Sequence, residues 1–158
     1  MPKIRLNNDN EKILGIWVEP WGVDYWMNPQ EQFTVTTETP EGVHSDEAPF
    51  EVVLHDQGVS LYVNIGYEAV VTDQSGSELE CGHQRPLEVL RAWTESAEAA
   101  AQRTAESPTL RDMTREHADH MRWALTQAEV TARATHEYAQ LAAISPGAVD
   151  LTLRSESP

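Results

Sequence analysis

The segment from Ile13 to Met27 reads I-L-G-I-W-V-E-P-W-G-V-D-Y-W-M and holds three of the five tryptophans of the chain. Trp17, Trp21 and Trp26 lie within ten residues, and a Pro-Trp-Gly turn separates the two apolar runs. Each aromatic side chain buries roughly 150 to 250 Å² in a folded protein. We therefore expect the core to form around this segment.

Short runs in which apolar and polar side chains alternate lie on both sides of this segment. Alternation with a period of two is the pattern of a strand, and clusters of Asn, Asp, Gly and Pro separate the runs. Asp56-Gln57-Gly58 between two β-rich runs is typical of a hairpin. Seven short strands within about 75 residues predict an antiparallel sandwich or a partly open barrel.

The alternation assigns one face of these strands to the core. The predicted inner face consists of Ile4, Leu6, Leu14, Ile16, Val18, Phe33, Val35, Phe50, Val52, Leu54, Leu61, Val63, Ala69 and Val71. The opposite face is also partly apolar, through Trp17, Val53, Tyr62 and Val70. We therefore expect another element to cover it.

The apolar period changes from two to 3.6 near residue 85, which indicates helices. Pro86 suits the first position of a helix that ends near residue 106, and Ser107-Pro108 suits the start of a second helix that continues to Ile144. The second helix would be on the order of 50 Å long against about 30 Å for the first. These patterns predict an α+β protein with an N-terminal antiparallel β-sandwich or partly open barrel, followed by a C-terminal helical hairpin with one long helix. The expected boundaries are 1–74 for the β domain, 75–85 for a linker, 86–146 for the hairpin and 147–158 for a tail.

The formal net charge of −15 is unevenly distributed. Residues 13–84 contain thirteen acidic residues and no Lys or Arg, whereas residues 86–158 contain eleven acids and seven arginines. An acidic field of this kind repels phosphate backbones, so we expect no nucleic-acid partner. Two interpretations of the acidity stay open: a device for solubility or a compositional bias, and a docking face for a basic partner.

The sequence also carries information about the location of the protein. The first residues lack the apolar segment of a signal peptide, and no run of about 18 apolar residues suggests a membrane span. The only cysteine is Cys81, so no internal disulfide can form. We expect a cytoplasmic protein with no membrane partner.

Two groups of residues are candidates for metal binding. Cys81 and His83 would supply two ligands, joined by a distant His44 or His55, and His117 with His120 lie three apart on the long helix. The alternatives are an ordinary linker for the first pair and solvent-facing side chains near Arg115 and Arg122 for the second. We find no nucleophile motif, phosphate loop or calcium loop, and we expect no cofactor.

The remaining surfaces favour protein binding. We expect a non-catalytic protein-protein interaction module of regulatory, assembly or inhibitor and immunity type, and the alternative is a metal-binding protein or metalloenzyme that uses the pairs named above. Its expected partners are another, basic protein and a second copy bound through the small-residue stripe of the long helix. The candidate contact residues are Glu38, Glu41, Asp46 and Glu47 in an acidic loop, and Ala128, Ala132 and Ala139 on the long helix.

Overall fold

The computed structural model describes residues 1–38 and 48–144, which form two compact units divided between Pro86 and Leu87. The first unit contains seven strands and the second two helices, which confirms the predicted α+β class. The elements are β1 (Lys3–Asn7), β2 (Leu14–Glu19), β3 (Val23–Met27), β4 (Gln32–Thr37), β5 (Phe50–His55), β6 (Gly58–Val63), β7 (Ala69–Thr72), α1 (Leu87–Arg103) and α2 (Arg111–Ile144). The expected tail at 147–158 lies outside the described residues.

The strands form two open sheets, one of three strands in the order β1-β4-β7 and one of four in the order β3-β2-β6-β5. All pairings are antiparallel except that of β2 with β6, where Gly15 opposes Gly58 and Val18 opposes Leu61 in parallel register. The four-stranded sheet therefore consists of two hairpins, β2-β3 and β5-β6, joined through a parallel pair that the alternation pattern did not predict.

The core of the first unit lies between the two sheets. Its largest fully buried side chains include Ile16 and Leu61 from one sheet and Phe33 and Val35 from the other. Burying side chains of this size contributes roughly 1.5 to 3 kcal/mol each. The predicted inner face is thus correct for the central strands of both sheets.

Val52 and Leu54 in β5 depart from that prediction, because they are 44% and 79% exposed. Their register opposes Val52 to Leu61 and Leu54 to Val59, so they do lie on the inner face of their sheet. The sheet of three strands faces a sheet of four, and it leaves β5 at the edge largely uncovered. The face was predicted correctly and its burial was not.

The segment predicted as a linker at residues 75–85 packs against the β unit. Leu79 is 8% exposed and joins the core, and its N–H donates to the carbonyl of Val71 at 2.8 Å. Further along, the N–H of Gly82 donates to the carbonyl of Asp24 at 2.7 Å. These pairings extend both sheets. They were not predicted, because the polar composition of the segment is typical of a linker.

The second unit is an α-helical hairpin whose helices share a small core. Leu90, Thr94 and Ala97 of α1 are buried, as is Ala118 of α2. The Thr94 hydroxyl lies within hydrogen-bonding distance of the carbonyls of Leu90, at 2.8 Å, and Met121, at 3.3 Å. Exposed ion pairs such as Arg122 with Glu98 contribute little to stability. The helix contact is therefore held mainly by small and apolar side chains.

Replacing Leu61 with Ala should lower the free energy of unfolding by about 2 to 5 kcal/mol, because it opens a cavity in a filled core. Leu54→Ala should lower the free energy of unfolding by less than about 1 kcal/mol, since the Leu54 side chain is mostly in water. Urea denaturation followed by near-UV circular dichroism measures both. Equal losses for the two variants would contradict the exposure of β5.

Candidate functional site

The outer face of the four-stranded sheet carries an aromatic cluster built over two glycines. A Cβ atom at Gly15 would lie 2.8 Å from the Trp17 ring, and one at Gly58 would lie 2.2 Å from the carbonyl oxygen of Gly15. Trp17 meets Trp26 edge to face at 5.7 Å between ring centroids, and it meets the His55 ring at 5.3 Å. The glycines therefore let one indole pack across the sheet from β3 to the end of β5.

Asp24 lies beside this cluster and is 4% exposed. Its carboxylate accepts hydrogen bonds from Trp26 Nε1 and Arg85 Nε, each at 2.7 Å, and forms a second contact with the same guanidinium. The Cys81 thiol is also within reach, at 3.7 Å. Because residues 13–84 contain no Lys or Arg, the cation for this buried carboxylate comes from the first arginine beyond that stretch.

The pKa of Asp24 lies below its usual value. Burial is the largest single influence and would raise the pKa, but the hydrogen bonds from Arg85, Trp26 and Cys81 and the charge of Arg85 together outweigh it. Hydrogen bonding to Asp24 in turn raises the pKa of Arg85. The group is a hydrogen-bonded ion pair that fixes the segment after β7 against β3.

β5, at the edge of the four-stranded sheet, exposes three apolar side chains in a row. Val52, Val53 and Leu54 are adjacent in sequence and are 44%, 39% and 79% exposed. A groove of about 490 Å³ runs along the inner side of the strand. Its apolar lining consists of Leu6, Ile13, Leu14, Val52, Leu54 and Val59. The strand thus presents apolar side chains, a groove and an open backbone edge together.

The other three sheet edges are each protected. Residues 82 and 83 pair with β3, residues 77 and 79 bond to the end of β7, and β1 carries exposed Lys3 and Arg5. Charged residues and covering segments are the usual means by which proteins prevent edge-to-edge association. Across residues 1–38 and 48–144, nothing pairs with the outer side of β5, and its sequence F-E-V-V-L-H has no Lys or Arg.

The second half of α2 is the other exposed surface. Every side chain from Val130 to Gln140 is exposed, whereas Ala118 in the first half is 3% exposed. Of the predicted contact residues, Ala128 is partly buried and Ala132 and Ala139 are exposed. The structure thus places the predicted stripe where α1 no longer covers α2.

The predicted acidic contact loop is only partly described. Glu38 is exposed at the end of β4, while Glu41, Asp46 and Glu47 lie outside the described residues, as does His44. The acidic docking face stays a prediction. The β5 edge was missed, although three consecutive apolar residues in one strand are a signal that both of its faces, or its edge, are to be covered.

The candidate metal ligands have separate surroundings. The Cys81 thiol contacts Asp24, and the His83 ring packs edge to face on Phe33 at 5.7 Å and contacts Gln84. On α2, His117 and His120 are exposed, and the His120 ring lies 6.2 Å from that of Trp123. Among the described residues, no three His, Cys, Asp or Glu side chains are grouped closely enough to hold a metal ion.

Comparison with known proteins does not add a relative. No family model matches the chain, and neither the curated proteins nor the solved structures contain a significant match. In the described part of the chain, neither helix combines the length and the apolar character that a membrane crossing requires.

Replacing Asp24 with Asn should destabilise the β unit by about 2 to 4 kcal/mol at neutral pH, because it breaks a partly buried ion pair with Arg85. A lowered pKa in the folded state stabilises the protein above the pKa of the unfolded state, about 3.9, and this contribution disappears as the pH falls through the folded value. The difference between wild type and variant should therefore shrink below about pH 4.

Urea denaturation at several pH values measures this difference. Asp9→Asn is the matched control, since Asp9 is an exposed carboxylate of the same β unit. A loss at Asp24 that is independent of pH down to about pH 2 would contradict the ionic role of this residue.

Proposed function

We propose that the protein is a non-catalytic protein-protein interaction protein that acts in the cytoplasm, in regulation, assembly or inhibition. The observation that carries this proposal is that every side chain of α2 from Val130 to Gln140 is exposed. A helix owes most of its stability in a protein to the packing of one face, so a long stretch without packing calls for a partner.

The lengths of the two helices support this proposal. α1 has 17 residues and α2 has 34. At 1.5 Å per residue they extend about 25 Å and about 51 Å, so roughly half of α2 extends beyond the hairpin contact. The exposed half includes Val130 at 57% and Tyr138 at 59% exposure.

The small residues of this half indicate the type of partner. Ala128, Ala132 and Ala139 recur at spacings of four and seven, which places them on one face of the helix. Small side chains let two helix backbones approach closely. We propose that a helix of a second copy packs on this face, so that the protein is a homo-oligomer through α2.

The acidity of the β unit supports a second kind of contact. Arg85 neutralises Asp24, but the other acids of residues 13–84 have no Lys or Arg within that stretch. A surface of one sign attracts an oppositely charged protein at a rate that falls with salt. We therefore propose that the external partner is a basic protein.

Ala132→Glu should weaken self-association by roughly tenfold or more, because it places a charge in a helix contact that has no room for it. Ala134→Glu is the matched control: it is also an exposed alanine of α2, but it lies about 200° around the helix from Ala132. Sedimentation velocity over a range of protein concentrations measures both. A larger effect at Ala134 would contradict the proposed face.

The basic partner has a separate test. The first step is to identify proteins that bind the immobilised full chain at low salt and are released at high salt. The affinity of each protein for the chain is then measured at several salt concentrations. A chain that sediments as a monomer at all concentrations, and that retains no partner under either condition, would contradict the proposed function.

A further inference from the structure

The pairing of β5 with β6 fixes which backbone groups of β5 are free. The carbonyl of Pro49 accepts a hydrogen bond from the N–H of Asn64 at 3.0 Å, and these residues extend the register by one pair. Hydrogen-bonded and non-hydrogen-bonded pairs alternate along an antiparallel ladder. The odd-numbered residues of β5 therefore bond to β6, and the even-numbered residues direct their N–H and C=O groups outward. The outward-directed residues are Phe50, Val52 and Leu54.

We infer that this free edge pairs antiparallel with β5 of a second copy of the chain, about a two-fold axis at Val53. In this register Val53 opposes Val53 of the second copy. Val52 opposes Leu54, and Glu51 opposes His55. The two four-stranded sheets then join into one continuous sheet of eight strands. This contact is separate from the α2 contact proposed above and does not depend on it.

The backbone geometry agrees with this register. Val52 and Leu54 both direct their hydrogen-bonding groups outward, so each Val52-Leu54 pair across the axis exchanges two N–H···O=C bonds. Glu51, Val53 and His55 form the intervening pairs, in which the side chains approach more closely. The free groups of one strand thus meet those of the other.

The side chains agree as well. Val52 and Leu54 lie on the inner face, and the two-fold axis brings those of both copies together, which covers apolar surface that the three-stranded sheet leaves exposed. On the outer face a carboxylate opposes an imidazole and valine opposes valine. In either neighbouring register Val53 would face a polar side chain, Glu51 or His55. The strand is therefore complementary to itself in one centred register.

The protection of the other edges supports a second copy as the occupant of this one. β1, β3 and β7 are charged or covered, as described above, whereas β5 has an open backbone and three exposed apolar side chains. An edge left open beside blocked edges directs association to one place. The opposition of Glu51 to His55 further favours the antiparallel pair of identical strands.

A cysteine at the axis tests the register directly. In the full-length chain with Cys81 replaced by Ser, Val53→Cys should form a disulfide-linked dimer under mild oxidation. Opposed residues in a non-hydrogen-bonded pair have Cα atoms about 4.5 Å apart, which a disulfide can span. Tyr62→Cys is the matched control, because Tyr62 lies on the same face, at 42% exposure against 39% for Val53, but one strand further from the axis.

A second pair of variants tests the backbone contact without removing a bond inside the chain. Val52→Pro deletes an outward N–H and should raise the dimer dissociation constant roughly tenfold or more, because it removes one hydrogen bond on each side of the axis. Val52→Thr keeps the N–H and a β-branched side chain, so its dimer dissociation constant should be much closer to that of the wild type. Sedimentation equilibrium measures association, and far-UV circular dichroism checks that both variants are folded.

The outcomes separate this inference from the proposed function. Cross-linking at Val53 but not at Tyr62, together with weakening by Val52→Pro alone, supports the β5 pair. Equal cross-linking at both positions, or a monomer throughout, overturns it. A dimer that Ala132→Glu dissociates and Val52→Pro leaves intact also overturns it, while it supports the α2 contact.

Discussion

The β unit depends on one mismatch: a sheet of three strands covers a sheet of four. The central strands β2 and β6 find a facing layer, so Val18 and Leu61 are completely buried. β5 precedes β6, to which a two-residue turn joins it, and the three-stranded sheet leaves β5 largely uncovered. Its inner side chains therefore border a groove, and its backbone borders solvent. Both the core and the exposed edge follow from the same difference in width.

The outer face of the four-stranded sheet is partly covered by its own aromatic side chains. Trp17 lies over Gly15 of β2 and Gly58 of β6, and its ring contacts the side chains of Trp26 in β3 and His55 in β5. Asp24 then draws Arg85 to the edge of β3, and the segment before it supplies backbone bonds to that edge. The tryptophan-rich segment from Ile13 to Met27 thus organises the face and closes one of its two edges.

Much of this fold is predictable from local patterns. Alternation places Leu54 and Leu61 on the same face correctly, because facing direction depends only on the two-residue period. It does not predict that one is exposed and the other buried, because burial depends on how many strands lie opposite. For the same reason the parallel β2-β6 pair and the edge role of residues 75–85 were not predicted: both are long-range pairings that no local period records.

The same distinction between local patterns and long-range pairings applies to the candidate surfaces. The exposure of Ala132 and Ala139 follows from the length of α2. That length can be predicted from the sequence, because the segment contains no Pro or Gly that would end the helix earlier. Which sheet edge stays open depends on the partners of all four edges, and that information exists only in the fold. Cys81 and His83 are close in sequence, but their side chains have different surroundings. The Cys81 thiol contacts Asp24, and the His83 ring packs on Phe33.

The parallel pair of β2 and β6 has a consequence for the order of folding. β2 and β3 are neighbours in sequence, but β2 reaches β6 only after about forty further residues, so this contact requires the closure of a large loop. The side-chain hydrogen bonds across the helical hairpin of the second unit range in separation from 10 residues, at Thr104 and Thr114, to 38 residues, at Arg91 and Glu129. Contacts of high sequence separation form slowly. During synthesis the edge of β2 that later meets β6 therefore stays open, and the nascent chain is exposed to wrong strand pairing in this interval.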